Sequence, residues 1–355
     1  MRKYLITGLK ISMAIIILIV AYFVGVLIIN TAYDYKPITH KLAIAEQYNA
    51  AAVPIKTRYS MLSWNIGYAG LGSESDFFYD GGDMVKPCRR DYDRYYQGIL
   101  NKIVAFDSLD FILLQEVDTA SARSYYINQY ADISQILMSY QGTYVKNYDA
   151  FFVPLPAFNP MGQVVSGLAS FSVYPLSDAC IQVFPDNYPW PKNLFMPDRC
   201  FMCISTKLSS GNNLHVINTH NSAFDDGSLR ITQLKILFKH MKTLYDHGDY
   251  VIAGGDWNIN PPGYSNLPFL SDDISFSLNF STTLFTENPD WKVVFDENYP
   301  SNRDVSIPYT NAHTPATIID YFLCSPNVRV LESKTLYNNF QYSDHQPVYL
   351  SVSLN

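Results

Sequence analysis

The sequence lacks the cysteines that a disulfide framework would need. It has five, and an odd number cannot pair completely within one chain. Cys200 and Cys203 have the spacing of a redox or zinc pair, but no second pair accompanies them. Residues 199–205 also have the pattern of a strand, which would place these two thiols on opposite faces. We therefore expect ordinary core cysteines.

Basic charge is scarce in most of the chain. Lys and Arg number 25 against 32 Asp and Glu, and residues 59–355 hold 18 basic and 30 acidic side chains, a net charge of −12. Such a segment lacks the positive field that non-specific nucleic-acid binding requires. A cluster of metal-binding carboxylates would contribute to this acidity without explaining all of it.

Charge is absent altogether from residues 11–29, which are mostly Ile, Leu, Val and Ala. At about 1.5 Å per residue, this segment nearly crosses a hydrocarbon core of roughly 30 Å. Arg2, Lys3 and Lys10 precede it, and no small-residue cleavage site clearly follows. These features favour an uncleaved anchor over a cleaved signal peptide. The basic flank should stay cytoplasmic, which places everything after residue 30 outside the cytoplasm.

The chain thus divides into four parts: a basic flank at 1–10, a transmembrane anchor at 11–30, a linker at 31–58 and a large domain at 59–355. Residues 40–52 of the linker have the pattern of a short helix. A flexible linker of this length spans roughly 30 Å, so the domain can reach its own membrane. With 48% hydrophobic residues the domain can bury a large core.

Apolar strands and amphipathic helices alternate after residue 58, which predicts an α/β fold. The predicted strands are 59–66, 110–117, 143–152, 163–173, 213–220, 249–254, 318–323 and 348–352, and the predicted helices are 95–106, 121–139 and 228–247, with Ser228 as N-cap. Two aromatic, Pro-rich loops at 151–160 and 183–197 either line a substrate cleft, touch lipid or simply pack, and simple packing is favoured.

One strand ends in a conspicuous polar turn. Residues 251–253 are apolar, Gly254 and Gly255 permit close backbone approach, and Asp256 and Asn258 follow. An acid and an amide at this spacing suit a metal-bound phosphate. They equally suit a capped turn, since both residue types favour turns.

Other strands end in the same way. The polar residues at their tips or edges are Asn65, Glu116, His220, Asp256, Asn258, Asp320, Asp344 and His345. Six strands with such ends are less plausible as coincidences than as one shared site at the end of a sheet. Glu116 in particular follows a buried run, where an unpaired carboxylate is costly.

The ordered motifs resemble the endonuclease/exonuclease/phosphatase superfamily, which includes deoxyribonuclease I and bacterial sphingomyelinases. They are Trp-Asn65-Ile, Leu-Gln-Glu116, Asn-Thr-His220, Gly-Asp256-Trp-Asn258, Ile-Asp320-Tyr and Ser-Asp344-His345. Each motif alone is weak, but six in order are specific. The resemblance covers residues 59–355 and extends to a bacterial membrane-anchored subgroup. It implies a catalytic domain built as a two-sheet, four-layer α/β sandwich.

The resemblance also implies a divalent cation, Mg²⁺ or alternatively Mn²⁺. Glu116 would be its main ligand with help from Asn65, and Asp344 would lie near this metal or a second one. Mg²⁺ prefers oxygen ligands and keeps several waters, so few protein ligands suffice.

Catalytic roles are implied for the remaining residues. His345 would act as general base or clamp the phosphate, with Asp320 orienting its imidazole. His220 would protonate or stabilise the leaving oxygen, while Asp256 and Asn258 would position the attacking water and the phosphate. Whether His345 or Asp256 is the base stays open.

The sequence therefore predicts a monomeric, membrane-tethered, extracytoplasmic phosphoester hydrolase, favoured as a phosphodiesterase on lipid headgroups or small phosphoesters. A surface nuclease is the first alternative, disfavoured because residues 171–174 read Phe-Ser-Val-Tyr where Ser-Arg is common in the family. A catalytically inactive membrane-bound binding module is the second, disfavoured because no site residue is replaced. Arg123 and Arg199 are each as suited to gripping a phosphate as to a structural ion pair.

Overall fold

Two mixed β-sheets pack face to face, and helices cover their outer faces. The computed structural model describes residues 2–44, 52–106, 108–185, 187–264, 283–310 and 314–355. Its helices are α1 (Arg2–Ala32), α2 (Arg89–Ala105), α3 (Gln129–Ile136), α4 (Ser228–Asp246) and α5 (Thr283–Thr286). Its strands are β1 (His40–Lys41), β2 (Tyr59–Asn65), β3 (Phe111–Asp118), β4 (Gln141–Val153), β5 (Gly162–Ser172), β6 (Asp178–Val183), β7 (Cys200–Lys207), β8 (Asn213–His220), β9 (Tyr250–Asp256), β10 (Lys292–Val294), β11 (Asn302–Arg303), β12 (Ala316–Thr317), β13 (Asp320–Cys324), β14 (Val328–Thr335) and β15 (Val348–Leu354).

The two large sheets have seven and six strands, in the orders β1-β6-β7-β8-β9-β13-β10 and β14-β15-β2-β3-β5-β4. Apolar side chains from both, such as Leu113, Ile252 and Phe322, form the central core. Three further apolar clusters lie outside it: one beneath α4, one beneath α2 and α3, and a smaller one around Tyr68 and Val164. The predicted four-layer α/β sandwich is confirmed. Strands covered on both faces read as continuous apolar runs, which is why β3 and β9 were recognisable.

Strand direction gathers several chain segments at one end of the sandwich. Strands β2 and β3 are parallel, and so are β8 and β9, so within each pair the two carboxyl ends lie at the same end of the sheet. Strands β13 and β15 run antiparallel to β9 and β2, so their amino ends lie at that same end. We call this the site end of the sandwich.

Glycine at position 255 is required by the packing of β9 against β8. A Cβ atom there would lie 2.0 Å from the carbonyl oxygen of Thr219. The close backbone approach expected from the Gly-Gly pair is therefore present, and it sets Asp256 directly beside His220.

Several local predictions need correction. Helix α2 begins at Arg89, ahead of the predicted residue 95, and the predicted helix 121–139 is a 3₁₀ turn at Ala122–Ser124 followed by the shorter α3. Ser228 is the first residue of α4, and Gly227 is its N-cap. In the linker, His40–Lys41 is a strand that pairs with β6, while residues 45–51 of the predicted short helix lie outside the described residues.

The cysteines form no disulfide, and Cys200 and Cys203 are buried in β7, as expected. Helix α1 is long and apolar enough to cross a membrane, and nearly all of it is exposed in the structure.

Candidate functional site

A cavity of about 510 Å³ opens at the site end of the sandwich. Six of the eight residues singled out in the sequence line it, namely Glu116, His220, Asp256, Asn258, Asp344 and His345. The other two lie directly behind it, since Asn65 and Asp320 contact Asp256 and His345 through hydrogen bonds. One shared site, and not a set of separate capped turns, accounts for these strand ends.

His345 and Asp320 form a buried hydrogen-bonded pair. His345 Nδ1 donates to Asp320 Oδ2 over 2.8 Å, and Ser301 Oγ donates to the same oxygen over 2.8 Å. Asp320 Oδ1 has no hydrogen-bond partner among the described residues. These two hydrogen bonds fix the Asp320 carboxylate and the His345 ring, and the Nε2 atom of the ring faces the cavity.

The Nε2 atom of His345 lies close to the side-chain amides of two asparagines. Asn302 Nδ2 lies 3.0 Å away and Asn65 Nδ2 lies 3.4 Å away. An amide NH₂ donates to a neutral imidazole, and the same amide turned over accepts from an imidazolium. Asn302 can turn over in this way, whereas the Asn65 amide is held by its donation to Asp256 Oδ2 and by the Gly67 N–H that donates to its Oδ1, so Asn302 is the partner of the protonated ring.

Three polar groups surround the carboxylate of Asp256. Asn65 Nδ2 donates to Asp256 Oδ2 over 3.0 Å, and the backbone N–H of Asn258 donates to Oδ1 over 3.0 Å. His220 Nε2 lies 3.2 Å from Oδ2. Asn258 has a positive φ of 51°, and its side-chain NH₂ donates to the carbonyl oxygen of Asn221. The turn after β9 is therefore both a capped turn and part of the site.

The environment of the site shifts the pKa values of its two histidines in opposite directions. Burial opposes the charge on His345, but the carboxylates of Asp320, Asp344 and Asp256 outweigh it and raise the pKa of His345 well above its ordinary value. Burial, together with the cationic Arg199, holds the pKa of His220 well below its ordinary value. Burial raises the pKa of Asp256 to about 6. His345 thus tends to be protonated and His220 neutral.

Glu116 reaches the cavity through a β-bulge. The register of β3 against β5 shifts between Leu114 and Val117, and Glu116 adopts a left-handed φ of 54°. Bulges redirect side chains next to active sites. The side chain of Glu116 is 25% exposed, and its Oε1 atom lies 3.4 Å from Nδ2 of Asn65.

Two groups of oxygen-rich ligands are available to a cation. Ligand atoms of Asp256, Asp320 and His345 all lie within 4.8 Å of one another. Glu116 and Asp344 form the second group, and the pKa of Asp344 is raised by burial and by repulsion from Glu116. Either set has the hard donors that a divalent cation such as Mg²⁺ prefers.

Four arginines line the cavity, and the guanidinium groups of three of them are already paired with other protein groups. Arg123 makes a bidentate ion pair with buried Asp118 at 3.0 and 3.1 Å, Arg230 pairs with Asp225, and Arg303 donates to backbone carbonyls. In the described part of the chain, the guanidinium of Arg199 has no hydrogen bond or ion pair. Arg123 is thus held by Asp118 and lies 3.8 Å from Glu116 Oε2, whereas Arg199 is an available cation.

Sequence reasoning missed several residues of the site. Asn302 and Ser301 belong to a region that gave no regular pattern, although the polar run Ser-Asn-Arg-Asp at 301–304 was a usable signal. Tyr79 and Asp80 of the long loop at 67–92 also line the cavity. Burial and the carboxylates of Asp344, Asp304 and Glu116 raise the pKa of Asp80 to about 7.

Comparisons with known proteins agree with this geometry. The model of the Endonuclease/Exonuclease/phosphatase family matches residues 62–345. A comparison with curated proteins finds no match.

Solved structures share the fold. An endonuclease/exonuclease/phosphatase from Beutenbergia cavernae DSM 12333 is 18% identical, with a TM-score of 0.58 over 84% of this chain and 72% of that one. The human Nocturnin catalytic domain with bound sulfate anion is 15% identical, with a TM-score of 0.54 over 84% and 94%. ANGEL2, a 2',3'-cyclic phosphatase, is 16% identical, with a TM-score of 0.54 over 90% and 99%.

Proposed function

The chain belongs to the endonuclease/exonuclease/phosphatase family, whose members are metal-dependent phosphoester hydrolases, and we propose that it is a membrane-tethered phosphodiesterase acting on lipid headgroups or small phosphoesters. The observation that carries the proposal is the buried His345–Asp320 pair, which faces the same cavity as Asp256, Glu116 and the unpaired Arg199. We propose residues 59–355 as the catalytic domain, outside the cytoplasm, with α1 as its anchor.

We assign the cation to Glu116 and Asp344, with Asn65 orienting the Glu116 carboxylate. Two neighbouring carboxylates that repel each other are the situation that a bound cation relieves. In the alternative group the hydrogen bond between His345 Nδ1 and Asp320 Oδ2 already occupies two of the ligand atoms, so fewer are free for a cation there. Mg²⁺ or Mn²⁺ held here would offset negative charge on the phosphoryl oxygens.

His345 and Asp256 divide the remaining chemistry. The raised pKa of His345 suits an imidazolium that binds a phosphoryl oxygen, and Asp320 holds its ring in place. Asp256, ionised above about pH 6, accepts the proton of the attacking water. We therefore propose Asp256, and not His345, as the base.

His220, Asn258 and Arg199 support that step. His220 stays neutral because of its lowered pKa, and its single N–H donates to Asp256 and orients it. The leaving oxygen takes its proton from solvent. Asn258 fixes Asp256 through its backbone N–H. The planar guanidinium of Arg199 suits bidentate contact with the phosphate.

The substrate class is tested with the full-length chain in detergent. We expect Mg²⁺-dependent hydrolysis of bis-p-nitrophenyl phosphate and of sphingomyelin or inositol phospholipid in mixed micelles, and little cleavage of plasmid DNA. Efficient cleavage of plasmid DNA without lipid hydrolysis would favour a surface nuclease. Absence of any metal-dependent hydrolysis across this set would favour the inactive binding module.

A further inference from the structure

Exposed apolar side chains form a patch around the mouth of the cavity. We define this rim patch as Phe151, Leu155, Phe158, Trp190 and Phe224. Phe158 is 104% exposed and Trp190 is 63% exposed. No charged residue occurs between positions 150 and 166. Exposed apolar patches of this kind mark interaction sites in soluble domains.

The anchor helix is fastened to the catalytic domain next to this patch. The side chain of Asn30, which is buried, donates to the carbonyl oxygen of Phe152 over 3.0 Å and accepts from its N–H over 3.1 Å. Three residues further along, Tyr33 stacks on Phe151 with ring centroids 4.9 Å apart. The domain is therefore held by its own anchor, and not only by a flexible linker.

The position of this attachment along α1 sets its depth. Asn30 follows directly after the uncharged segment 11–29, so Phe152 lies at the level where the hydrocarbon core ends. Val26 is also buried against the domain, whereas residues 3–24 of the helix are exposed. Four residues of helix correspond to about 6 Å, so the domain overlaps the apolar segment by roughly that distance.

The attachment lies at the site end of the sandwich. Strands β3 and β4 are both antiparallel to β5, so they run in the same direction. The carboxyl end of β4, where Phe151 and Phe152 lie, is therefore on the same side as Glu116 at the end of β3. Helix α1 also contacts the turn Lys192–Phe195, which follows Trp190.

The loops that carry the rim patch also form the cavity wall. Met161 follows the loop of Leu155 and Phe158, and Tyr188 and Met196 flank Trp190; all three line the cavity. Lys192 Nζ lies 4.1 Å from the ring centroid of Tyr188 and donates to the carbonyl oxygen of Phe224. The rim patch and the mouth of the cavity are thus parts of one surface.

We propose that the rim patch inserts into the membrane leaflet at which α1 emerges, so that the mouth of the cavity faces the lipid headgroups. Trp and other aromatic side chains are favoured at this interface. The occupant is lipid because the patch is continuous with a membrane-spanning helix. The contact is apolar, since residues 59–355 have a net charge of −12 and would not attract anionic lipid.

Contact of the rim patch with the membrane would also determine which substrates reach the cavity, and this consequence rests on the proposed function. When the mouth of the cavity is in contact with the leaflet, it can bind phosphoesters whose apolar part stays in the bilayer and whose phosphate reaches the cavity. Amphiphilic phosphoesters of the same membrane are then preferred to dissolved ones, because the enzyme meets them at high local concentration.

Trp190 provides a direct test that needs no catalysis. Of the four tryptophans, Trp64, Trp257 and Trp291 are buried, so Trp190 alone is placed to meet lipid. The full-length chain is reconstituted in phosphatidylcholine liposomes with plain or brominated acyl chains. We expect bromine to quench most of the Trp190 emission, and the lipid-dependent quenching to vanish in Trp190→Phe. Equal emission in both lipids overturns the proposal, as does shielding of Trp190 by a second copy of the chain in a dimer.

A matched pair of variants tests the consequence. Leu155→Asp combined with Phe158→Asp should lower hydrolysis of a bilayer-embedded phosphoester by about tenfold or more, because two apolar side chains no longer enter the leaflet. Hydrolysis of dissolved bis-p-nitrophenyl phosphate should not change. Leu331→Asp, on β14 at the opposite edge of the sheet from β4, is equally exposed and should leave both rates unchanged.

Equal loss on both substrates, or equal loss in Leu331→Asp, overturns the membrane-docking proposal. If no phosphoester at all is hydrolysed, the proposed function fails, and the fluorescence of Trp190 still decides whether the rim patch meets lipid.

Discussion

His345 donates from Nδ1 to the Oδ2 atom of Asp320 over 2.8 Å, although 25 residues separate the two in the chain. The pair forms because β13 begins at the site end of the sandwich, and the polar turn that precedes β15 lies at the same end. A second pair of the same chemistry, His215 with Asp249 at 3.0 Å, lies outside the cavity. The His215–Asp249 pair therefore serves as a control for substitutions at the His345–Asp320 pair.

Removing the charge of Asp320 should abolish most activity. In Asp320→Asn the imidazole of His345 loses the anion that orients it and keeps it protonated, and we expect kcat to fall roughly 10³- to 10⁴-fold. Steady-state hydrolysis of bis-p-nitrophenyl phosphate measures the loss. Asp249→Asn makes the same change beside His215 and should keep activity near that of the wild type. Comparable losses in both variants would show that the effect is structural.

Activity should depend on pH through Asp256. The pKa of this carboxyl is raised from 3.8 to about 6 in the folded protein, so its ionised form, which accepts the proton of water, is lost as the pH falls through 6. His345, with its raised pKa, stays protonated across neutral pH. We expect kcat to rise towards a plateau above about pH 6 at saturating metal. If His345 were instead the base, kcat would keep rising well into the alkaline range.

Arg199 and Arg123 should respond differently to substitution. Arg199→Ala removes an unpaired cation from the cavity wall, and we expect kcat/KM to fall about 10²-fold with little change in Tm. Arg123→Ala leaves Asp118 buried without its partner and should cost roughly 3–5 kcal/mol of unfolding free energy. Thermal unfolding and kinetics on both variants separate the two roles. A stability loss in Arg199→Ala would contradict this division.

Glu116 should determine metal affinity. In Glu116→Gln the cation loses an anionic ligand, and we expect the Mg²⁺ or Mn²⁺ concentration needed for half-maximal activity to rise at least about tenfold. Calorimetric titration of Mn²⁺ gives the same comparison without substrate. Glu332→Gln removes a surface carboxylate in contact with Arg58 and Lys334, and it should bind the metal as the wild type does. Unaltered affinity in Glu116→Gln would move the cation to the group around Asp256.

The residues at strand ends were predictable because their type and their position are both visible in the sequence. Asp256 and Glu116 each follow a buried apolar run, where a charge needs a way out of the core. At Asp256 the strand ends, and at Glu116 the bulge of β3 redirects the side chain. His345 and Asp344 precede the last strand in the same way. The fold class followed from the same runs, since strands buried on both faces show their apolar pattern directly.

Other parts of the site depended on partners that the sequence cannot locate. Arg199 and Arg123 look alike until the fold places Asp118 beside one of them and leaves the other unpaired. Asn302 comes from a two-residue strand, which is too short to give a periodic signal. The attachment of Asn30 to Phe152 joins residues 122 positions apart, so the anchor's contact with the site end was also hidden.

Metal-dependent hydrolysis by the full-length chain tests the central proposal most directly. Bis-p-nitrophenyl phosphate is offered to wild type and to His345→Ala, first after EDTA treatment and then after Mg²⁺ is restored. We predict no turnover in EDTA, recovery with Mg²⁺ in wild type, and no recovery in His345→Ala at a temperature where thermal unfolding shows that the variant is folded. Turnover that survives EDTA, or that persists in the folded His345→Ala variant, would contradict it.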